Sequence, residues 1–484
     1  MNTTNIQELV EQSESKTLEF KRDLSSLKPI VKTVIAFANT AGGIIIIGVE
    51  DGGKVVGVEN PFREEEKLAS AITDSIAPML MPDIEIVTIN KKTLLVVDVP
   101  HVIGPYYLKQ AGELAGVLVR IGSTNRQASP QIIEEINLRK VDGSFDALPC
   151  HGTSSADFDP KLVDILFDHF PYKPTKAKLQ SLGLLLKQGN KTIPSNAGII
   201  LLGNEEVRFH KADGARVSCA RFADTTKAEF IDRADIEGGV LTALDEVPKF
   251  IRRNSRMAAE IKTMRRRDIP EYPTEAVREA LINALLHSSY LIQGMRILVA
   301  IYSDRLDITN PGMLPVGMTI EELKNGVSTI RNKTIAQVFK KMELVEAWGS
   351  GYERISRFCK KEGYPEPKWE EFGFAVRVTF YPHPATRIPG AEKAPNRYQV
   401  GTKLGPSQDQ VGTKLELPEL TKRQSEILSI IQKLEESSFS DIVERMDNPP
   451  SERTVRNELV RLKEVGLIDS KGLRRGTLWY PLAK

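Results

Sequence analysis

The stretch Arg278-Glu-Ala-Leu-Ile-Asn-Ala-Leu-Leu-His287 leaves this chain little freedom in how it folds. Glu279, Asn283 and His287 stand four residues apart, so a helix stacks them along one face with a drift of roughly 40° per step. Most of the other positions are Ala, Leu or Ile, which makes the remainder of that helix apolar. A strand ending in a Pro-Gly turn follows at Asp304-Arg-Leu-Asp-Ile-Thr-Asn-Pro-Gly312. A carboxylate, an amide and an imidazole in register suit a metal-bound phosphate group. The bland alternative is a capped core helix with a few satisfied polar residues, and spacing alone does not separate the two.

The length of 484 residues is enough for three or four domains. Apolar and charged fractions are those of ordinary globular proteins. No apolar run approaches the ~20 residues of a membrane span, and the N-terminus lacks a basic start and an apolar signal core, which argues against membrane insertion and secretion. Cys150, Cys219 and Cys359 are isolated, without metal-ligand spacing, and point to a reducing cytoplasm. The net charge of +2 directs attention to local basic patches.

Five sections follow along the chain. Residues 1–140 alternate strand and helix. Thr17–Lys21 reads as a strand with Glu19 and Lys21 on one face, and Leu27–Asn39 as a helix burying Val31, Val34, Ile35 and Ala38. Ile44–Val49 is a continuous apolar strand, and Asp51-Gly-Gly turns a hairpin into Lys54–Val58. Residues 141–270 are a mixed connector, with an expected strand at Ala197–Gly203 and a helix at Gly239–Asn254. Residues 271–382 form a second α/β unit: the Glu279 helix, strands at Met295–Ile301 and Leu306–Thr309, two helices and a strand at Phe374–Tyr381. Residues 383–420 have a linker composition with a short tandem, Gln399–Leu404 and Gln410–Leu415. Residues 421–484 give helices at Lys422–Lys433, Ser438–Met446 (capped near Phe439 or Ser440) and Ser451–Val465, then a hairpin with a basic tip. That order is a winged helix-turn-helix.

Three constellations carry chemistry. Glu14, Glu19 and Asp51 converge if strands 17–21 and 44–49 share a sheet. Such carboxylates would take Mg²⁺ or Mn²⁺, with Lys21 on a phosphate, as in a metal-dependent nuclease. Solvated charges at strand ends are the competing reading, and of Glu50 and Asp51 only one can join. In the second α/β unit, Arg331-Asn332, Trp348-Gly-Ser-Gly-Tyr352 and Arg354 add glycines that let backbone approach phosphate, with cations nearby. From Arg453 to Arg475, seven basic residues face three acids. Thr454, Arg456 and Asn457 lie at the start of the third helix and Arg461 further along it; Lys471, Arg474 and Arg475 lie in the wing. This is a phosphate-binding footprint, against a winged fold that binds protein instead. Leu459, Leu462 and Leu467 read as core. The run Gly48-Val-Glu-Asp-Gly-Gly-Lys54 is not a P-loop, because Val55 stands where a hydroxyl must meet Mg²⁺ and no helix follows. A P-loop helicase motor is therefore unsupported.

Two resemblances extend these readings. Ser13–Lys21, Ala36-Phe-Ala-Asn-Thr-Ala-Gly-Gly43, Gly48–Asp51 and Val119–Ser123 resemble the AlbA-type domain of Schlafen proteins. That family binds nucleic acid. Some members cleave tRNA or other RNA with glutamates spaced as Glu14 and Glu19 are, and an aspartate that maps to Asp51. Arg278–His287, Asn310–Pro315, Arg331-Asn332 and Gly349-Ser-Gly351 resemble the divergent ATP-binding proteins akin to the gyrase–Hsp90–histidine kinase ATPases (GHKL). There the resemblance assigns Mg²⁺ coordination to Asn283 and water positioning to Glu279, with His287, Asn310, Gly312, Arg331, Asn332, Gly349 and Gly351 around the nucleotide. Two departures stand out: Asn310-Pro-Gly312 replaces the usual Asp-x-Gly-x-Gly, and His287-Ser-Ser-Tyr290 replaces His-Arg-Asp-Tyr. The expectation is an α/β (α+β) multidomain, cytoplasmic, ATP-responsive DNA-binding regulator. It binds duplex DNA through the winged helix and DNA or RNA through the N-terminal domain, and by analogy pairs as a homodimer. A Schlafen-type nuclease, acting on tRNA or single strands and serving phage defence, is the alternative; a weak ATPase also stays open.

Overall fold

The computed structural model describes residues 3–386 apart from 51, 263–264, 316, 328 and 346–350, together with 422–434, 437–446, 454–455, 458–459, 462, 468–471 and 478–481. The chain divides into two units, Met1–Ala394 and Pro395–Lys484.

Strand Leu18–Lys21 lies parallel to Gly43–Ile47, with Leu18 opposite Ile44 and Lys21 opposite Ile47. Strands Lys92–Val99 and Asp83–Ile89 complete a four-stranded sheet. The run of isoleucines is apolar throughout because both faces of the sheet are covered. Ile45 and Ile47 pack with Val31, Val34 and Phe37 of the Leu27–Ala38 helix, while Ile46 packs with Phe20 and with Ile6 of the Thr3–Val10 helix. Each such side chain contributes roughly 2 kcal/mol on burial. Gly52 and Gly53 turn a small hairpin, Val49–Glu50 on Lys54–Val55, as expected from the glycines. Gly48-to-Lys54 therefore joins strands and opens no helix, in agreement with the rejection of a P-loop.

A six-stranded sheet organises the second half of this unit, in the order Phe230–Ile236, Val217–Phe222, Ile297–Ile301, Leu306–Pro311, Ala375–Phe380, Lys368–Phe372. Its first two strands come from the section read as a connector. Val217–Phe222 runs parallel to Ile297–Ile301, so the sheet continues across the border expected at residue 270. One buried cluster accordingly holds Leu201, Val217, Val240, Leu285 and Ile308 together.

One expected element is overturned. Ala197–Gly203 is no strand: Asn196–Leu202 is a helix, capped by Ser195, whose hydroxyl accepts the Gly198 N–H at 3.0 Å. All six residues from Ala197 to Leu202 are buried. A helix buried on every side carries no polar stripe, so its apolar run looks the same as that of a central strand. The Gly239–Arg253 helix stands where it was expected.

The second unit has helices Lys422–Leu434 and Phe439–Glu444 and a three-stranded antiparallel sheet, Ser437–Ser438, Leu478–Pro481, Ile468–Lys471. The cap of the second helix is Ser438, not Phe439 or Ser440; it forms a capping box with Asp441. Val455, Leu459 and Leu462 fall at helical spacing and are buried with Ile427, Ile431 and Ile442. Leu467 lies outside the described residues.

Candidate nucleotide and nucleic-acid sites

The Thr274–His287 helix buries Ala276, Ala280, Ala284 and their apolar neighbours, and turns Glu279, Asn283 and His287 into a cavity of about 250 Å³. Strand Leu306–Pro311 supplies Ile308 and Asn310 to its floor, and Val376 and Val378 extend the apolar side. The roof is the segment between Met313 and Arg331, through Met313, Leu314, Met318 and Leu323. Gly351, the first residue of the Gly351–Glu362 helix, closes the polar end. A Cβ at Gly351 would stand 2.8 Å from Asn283 Nδ2 and 3.0 Å from Glu279 Oε1, so any larger residue here would displace the ends of those two side chains. Arg354, one turn on, reaches Glu279 at 3.6 Å. Burial, with the Arg331 charge beside it, pushes the His287 imidazole down to about 4, so at neutral pH it is uncharged.

Arg331 lines the cavity, and the described contacts of Arg331 and Asn332 are with backbone carbonyls and one acid. Arg331 donates to the carbonyls of His287 and Met313, the latter at 2.6 Å, and pairs with Glu135 at 2.7 Å. Asn332 is buried and donates through Nδ2 to the carbonyls of Leu286 and Ser288, both at 2.8 Å. Together they hold the C-terminal end of the Glu279 helix, where carbonyls have no intrahelical partner. Gly312, at φ +100°, lies beneath the Arg331 guanidinium, which a Cβ would meet at 2.7 Å. Asn310 is 7% exposed, and its Nδ2 donates to the Pro311 carbonyl at 3.3 Å. Gly349, with Trp348 and Ser350, lies outside the described residues.

The roof of this cavity is also held by the N-terminal domain. Gly317 donates its N–H to the Thr40 carbonyl at 2.5 Å. Lys16 reaches the Met318 carbonyl at 3.2 Å and Glu371 at 2.7 Å, and Glu371 accepts the Leu314 N–H at 3.0 Å. Sequence reading missed Lys16, Glu135 and Glu371, since nothing local marks a charge whose partner is hundreds of residues away.

The N-terminal acids are placed as follows. Glu19 and Lys21 share a strand face and pair through Glu19 Oε1. The other oxygen, Oε2, takes Arg120 Nη2 at 2.5 Å. Arg120 is 1% exposed; it also donates to the Ser15 carbonyl at 3.1 and 3.2 Å and to Asn125 Oδ1 at 3.0 Å, over the Phe37 ring. Its backbone N–H donates to Thr40 Oγ1 at 2.9 Å. Glu14 is exposed and accepts the Phe20 N–H at 2.9 Å. Glu50 pairs with Arg22 and Lys54, and Asp51 lies outside the described residues. No cluster of three metal-ligating side chains occurs among the described residues. With both Glu19 oxygens taken by cations, the described side chains do not fit a divalent ion here. Arg120 was visible in the sequence as a lone charge between Val119 and Ile121 of an apolar strand. A cleft of about 330 Å³ beside Glu19 is lined by Lys21, Lys28 and Lys32 at the start of the Leu27–Ala38 helix.

In the winged unit, Thr454 is half-buried on the third helix and Lys471 ends strand Ile468–Lys471. Arg453, Arg456, Asn457, Arg461, Arg474 and Arg475 lie outside the described residues. No helix among the described residues is long and apolar enough to cross a membrane.

Three stretches match protein families and bear out the resemblances read from sequence. Residues 14–129 match "Schlafen, AlbA_2". Residues 294–380 match "Putative ATP-dependent DNA helicase recG C-terminal", a GHKL-type ATPase domain, and residues 420–484 match "Penicillinase repressor". Among solved structures, the N-terminal domain of a putative ATP-dependent DNA helicase RecG-related protein from Nitrosomonas europaea is 32% identical. That match covers 27% of this chain and 95% of that one, with a TM-score of 0.22. A protein from Corynebacterium diphtheriae is 18% identical over 96% of this chain and 92% of its own, with a TM-score of 0.44.

Proposed function

We infer, from a chain whose separate stretches match Schlafen AlbA_2, RecG C-terminal and penicillinase-repressor families, that the protein is a DNA-binding regulator responsive to Mg-ATP. The observation that carries the nucleotide half is the seat of Gly351 against Glu279 and Asn283 inside the cavity. The bare Gly351 backbone lets the polar ends of Asn283 and Glu279 lie together at one end of the cavity, where a phosphate with its cation could be met. Asn283 would hold Mg²⁺ through its amide oxygen with Glu279 beside it, and the ion would neutralise phosphate charge. Asn310 would read the base, and the neutral His287 adds no second cation beside Arg331.

The DNA half rests on the winged unit, with its basic third helix and wing, and on the N-terminal domain with its lysine-lined cleft. A homodimer belongs to this reading because a two-fold operator is met by two copies; sedimentation of a monomer at working concentration would remove that part. The three cysteines are free and buried, which supports a reducing compartment.

Two measurements test the proposal. Fluorescent ATP should bind the full chain only with Mg²⁺, and Asn283→Ala should abolish binding; equal binding by the variant would remove the site. Duplex DNA should be shifted by the full chain with a steep salt dependence, and not by a chain lacking 421–484. Incubation with tRNA and single-stranded DNA plus Mn²⁺ checks the nuclease alternative: cleavage abolished by Glu19→Ala in protein that stays folded, and also by Glu14→Ala, would replace the regulator with an enzyme.

A further inference from the structure

Strand Lys368–Phe372 is an edge of the six-stranded sheet, and its Trp369 lines the cavity that holds Glu279 and Asn283. In the sheet Trp369 stands opposite Val378, and Val378 opposite Ile308. The next row on the same face is Glu371, Val376 and Asn310. Asn310 and Trp369 therefore stand on one face, two strands apart, roughly 10 Å across the sheet. Val376 and Val378 lie on the strand between them and give that stretch of the floor an apolar surface.

Trp369 is half-buried and packs against the cluster of Leu314, Met318 and Val376. The Tyr352 ring, also in the cavity wall, lies 5.8 Å from the indole. The indole Nε1 is buried and has no hydrogen-bond partner among the described residues. Among the described residues with a buried polar atom of this kind, Trp369 is the one that lines the cavity. An indole N–H can only donate, and a buried one normally meets an acceptor, because leaving it unmet forfeits the hydrogen bond it had with water. The wall of a cavity is the place where a bound molecule can supply that acceptor. The glutamate, amide and bare glycine backbone at the other end suit the phosphates of the same molecule.

We propose that Trp369 is a specificity-determining residue of this cavity, donating its indole N–H to a ring nitrogen, N3 or N7, of a purine whose opposite side is met by Asn310. This rests on the reading of the cavity as a nucleotide site. A purine has two fused rings, lies flat on an apolar floor, and carries acceptor nitrogens in both rings. A pyrimidine, with one ring, reaches one side of the floor and leaves the indole unmet.

Displacement of fluorescent ATP from the full chain with Mg²⁺ tests this, using ATP, CTP, 3-deaza-ATP and 7-deaza-ATP as competitors. Each deaza analogue replaces one ring nitrogen by C–H. In native protein, CTP and one of the two deaza analogues should bind about ten-fold more weakly than ATP, the worth of one hydrogen bond. Trp369→Phe keeps an aromatic side chain and removes the N–H. It should weaken ATP about ten-fold and bring that deaza analogue level with ATP, whereas a merely structural tryptophan would leave the ratio unchanged. Both analogues matching ATP in native protein overturns the proposal, as does a deaza penalty that persists in Trp369→Phe. If Trp369→Phe fails to fold, the two analogues on native protein decide. Failure of native protein to bind ATP at all removes the nucleotide reading and this inference together. ATP binding that Asn283→Ala abolishes, yet that ignores both deaza substitutions, removes this inference alone.

Discussion

At the scale of single residues, Glu19 shows how burial changes the meaning of a carboxylate. On a strand end it would be a solvated charge; here it is 7% exposed and holds the 1%-exposed Arg120. Breaking a buried pair leaves one charge uncompensated, so Glu19→Gln is expected to destabilise the chain by on the order of 3 kcal/mol, measured by urea unfolding. A variant as stable as the native protein would mean that Ser15 and Asn125 satisfy Arg120 unaided. His287 gives a pH dependence of definite sign. Its folded pKa, about 4, lies below the ordinary 6.5, so the unfolded chain takes up the proton first as pH falls. Its contribution is whole above about pH 6.5 and is lost as pH falls toward 4, by roughly 3 kcal/mol at most. His287→Gln should therefore lose less stability than native protein between about pH 7 and pH 4.5. Parallel curves would show that the ring titrates freely in the folded state.

At the scale of elements, the Thr274–His287 and Gly351–Glu362 helices make one device from opposite requirements. The first must carry side chains that reach a ligand, and the second must begin without one. Gly351→Ala should push the Asn283 amide into the cradle and weaken ATP binding about ten-fold while the fold persists. Unchanged titration of fluorescent ATP would show that the cradle has slack. The Asn196–Leu202 helix teaches the opposite lesson. Its sequence has no face, because every side is covered, and only its Ser195 cap distinguishes it locally from a strand.

At the scale of the whole unit, the roof over the nucleotide cavity is shared property. Segment 313–331 lines the cavity on one side and is tied on the other to Thr40, Lys16 and Glu135 of the N-terminal domain. Thr40 in turn receives the Arg120 N–H, and Arg120 holds Glu19. Lys16→Met cuts one tie without touching the cavity, and ATP affinity is expected to fall by about three- to ten-fold with little change in stability. An unaltered affinity would separate the two domains functionally.

The polar stripe on the Glu279 helix, the paired strands around Glu19, the glycine hairpin after Val49 and the helix–helix–wing order were legible before any coordinates. Each rests on periodicity or turn chemistry within a few residues, where backbone geometry alone decides which side chains share a face. Other features were not legible. Arg331 and Asn332 read as phosphate ligands by type; that they also hold the carbonyls at the end of the Glu279 helix was not legible, because a basic or amide side chain serves whichever acceptor the packing brings near. The sheet whose strands come from both sides of residue 270, the Arg120–Glu19 pair and the roof held by Lys16 depend on partners far apart in the chain. Such partnerships follow from how elements close on one another, and no local pattern records them.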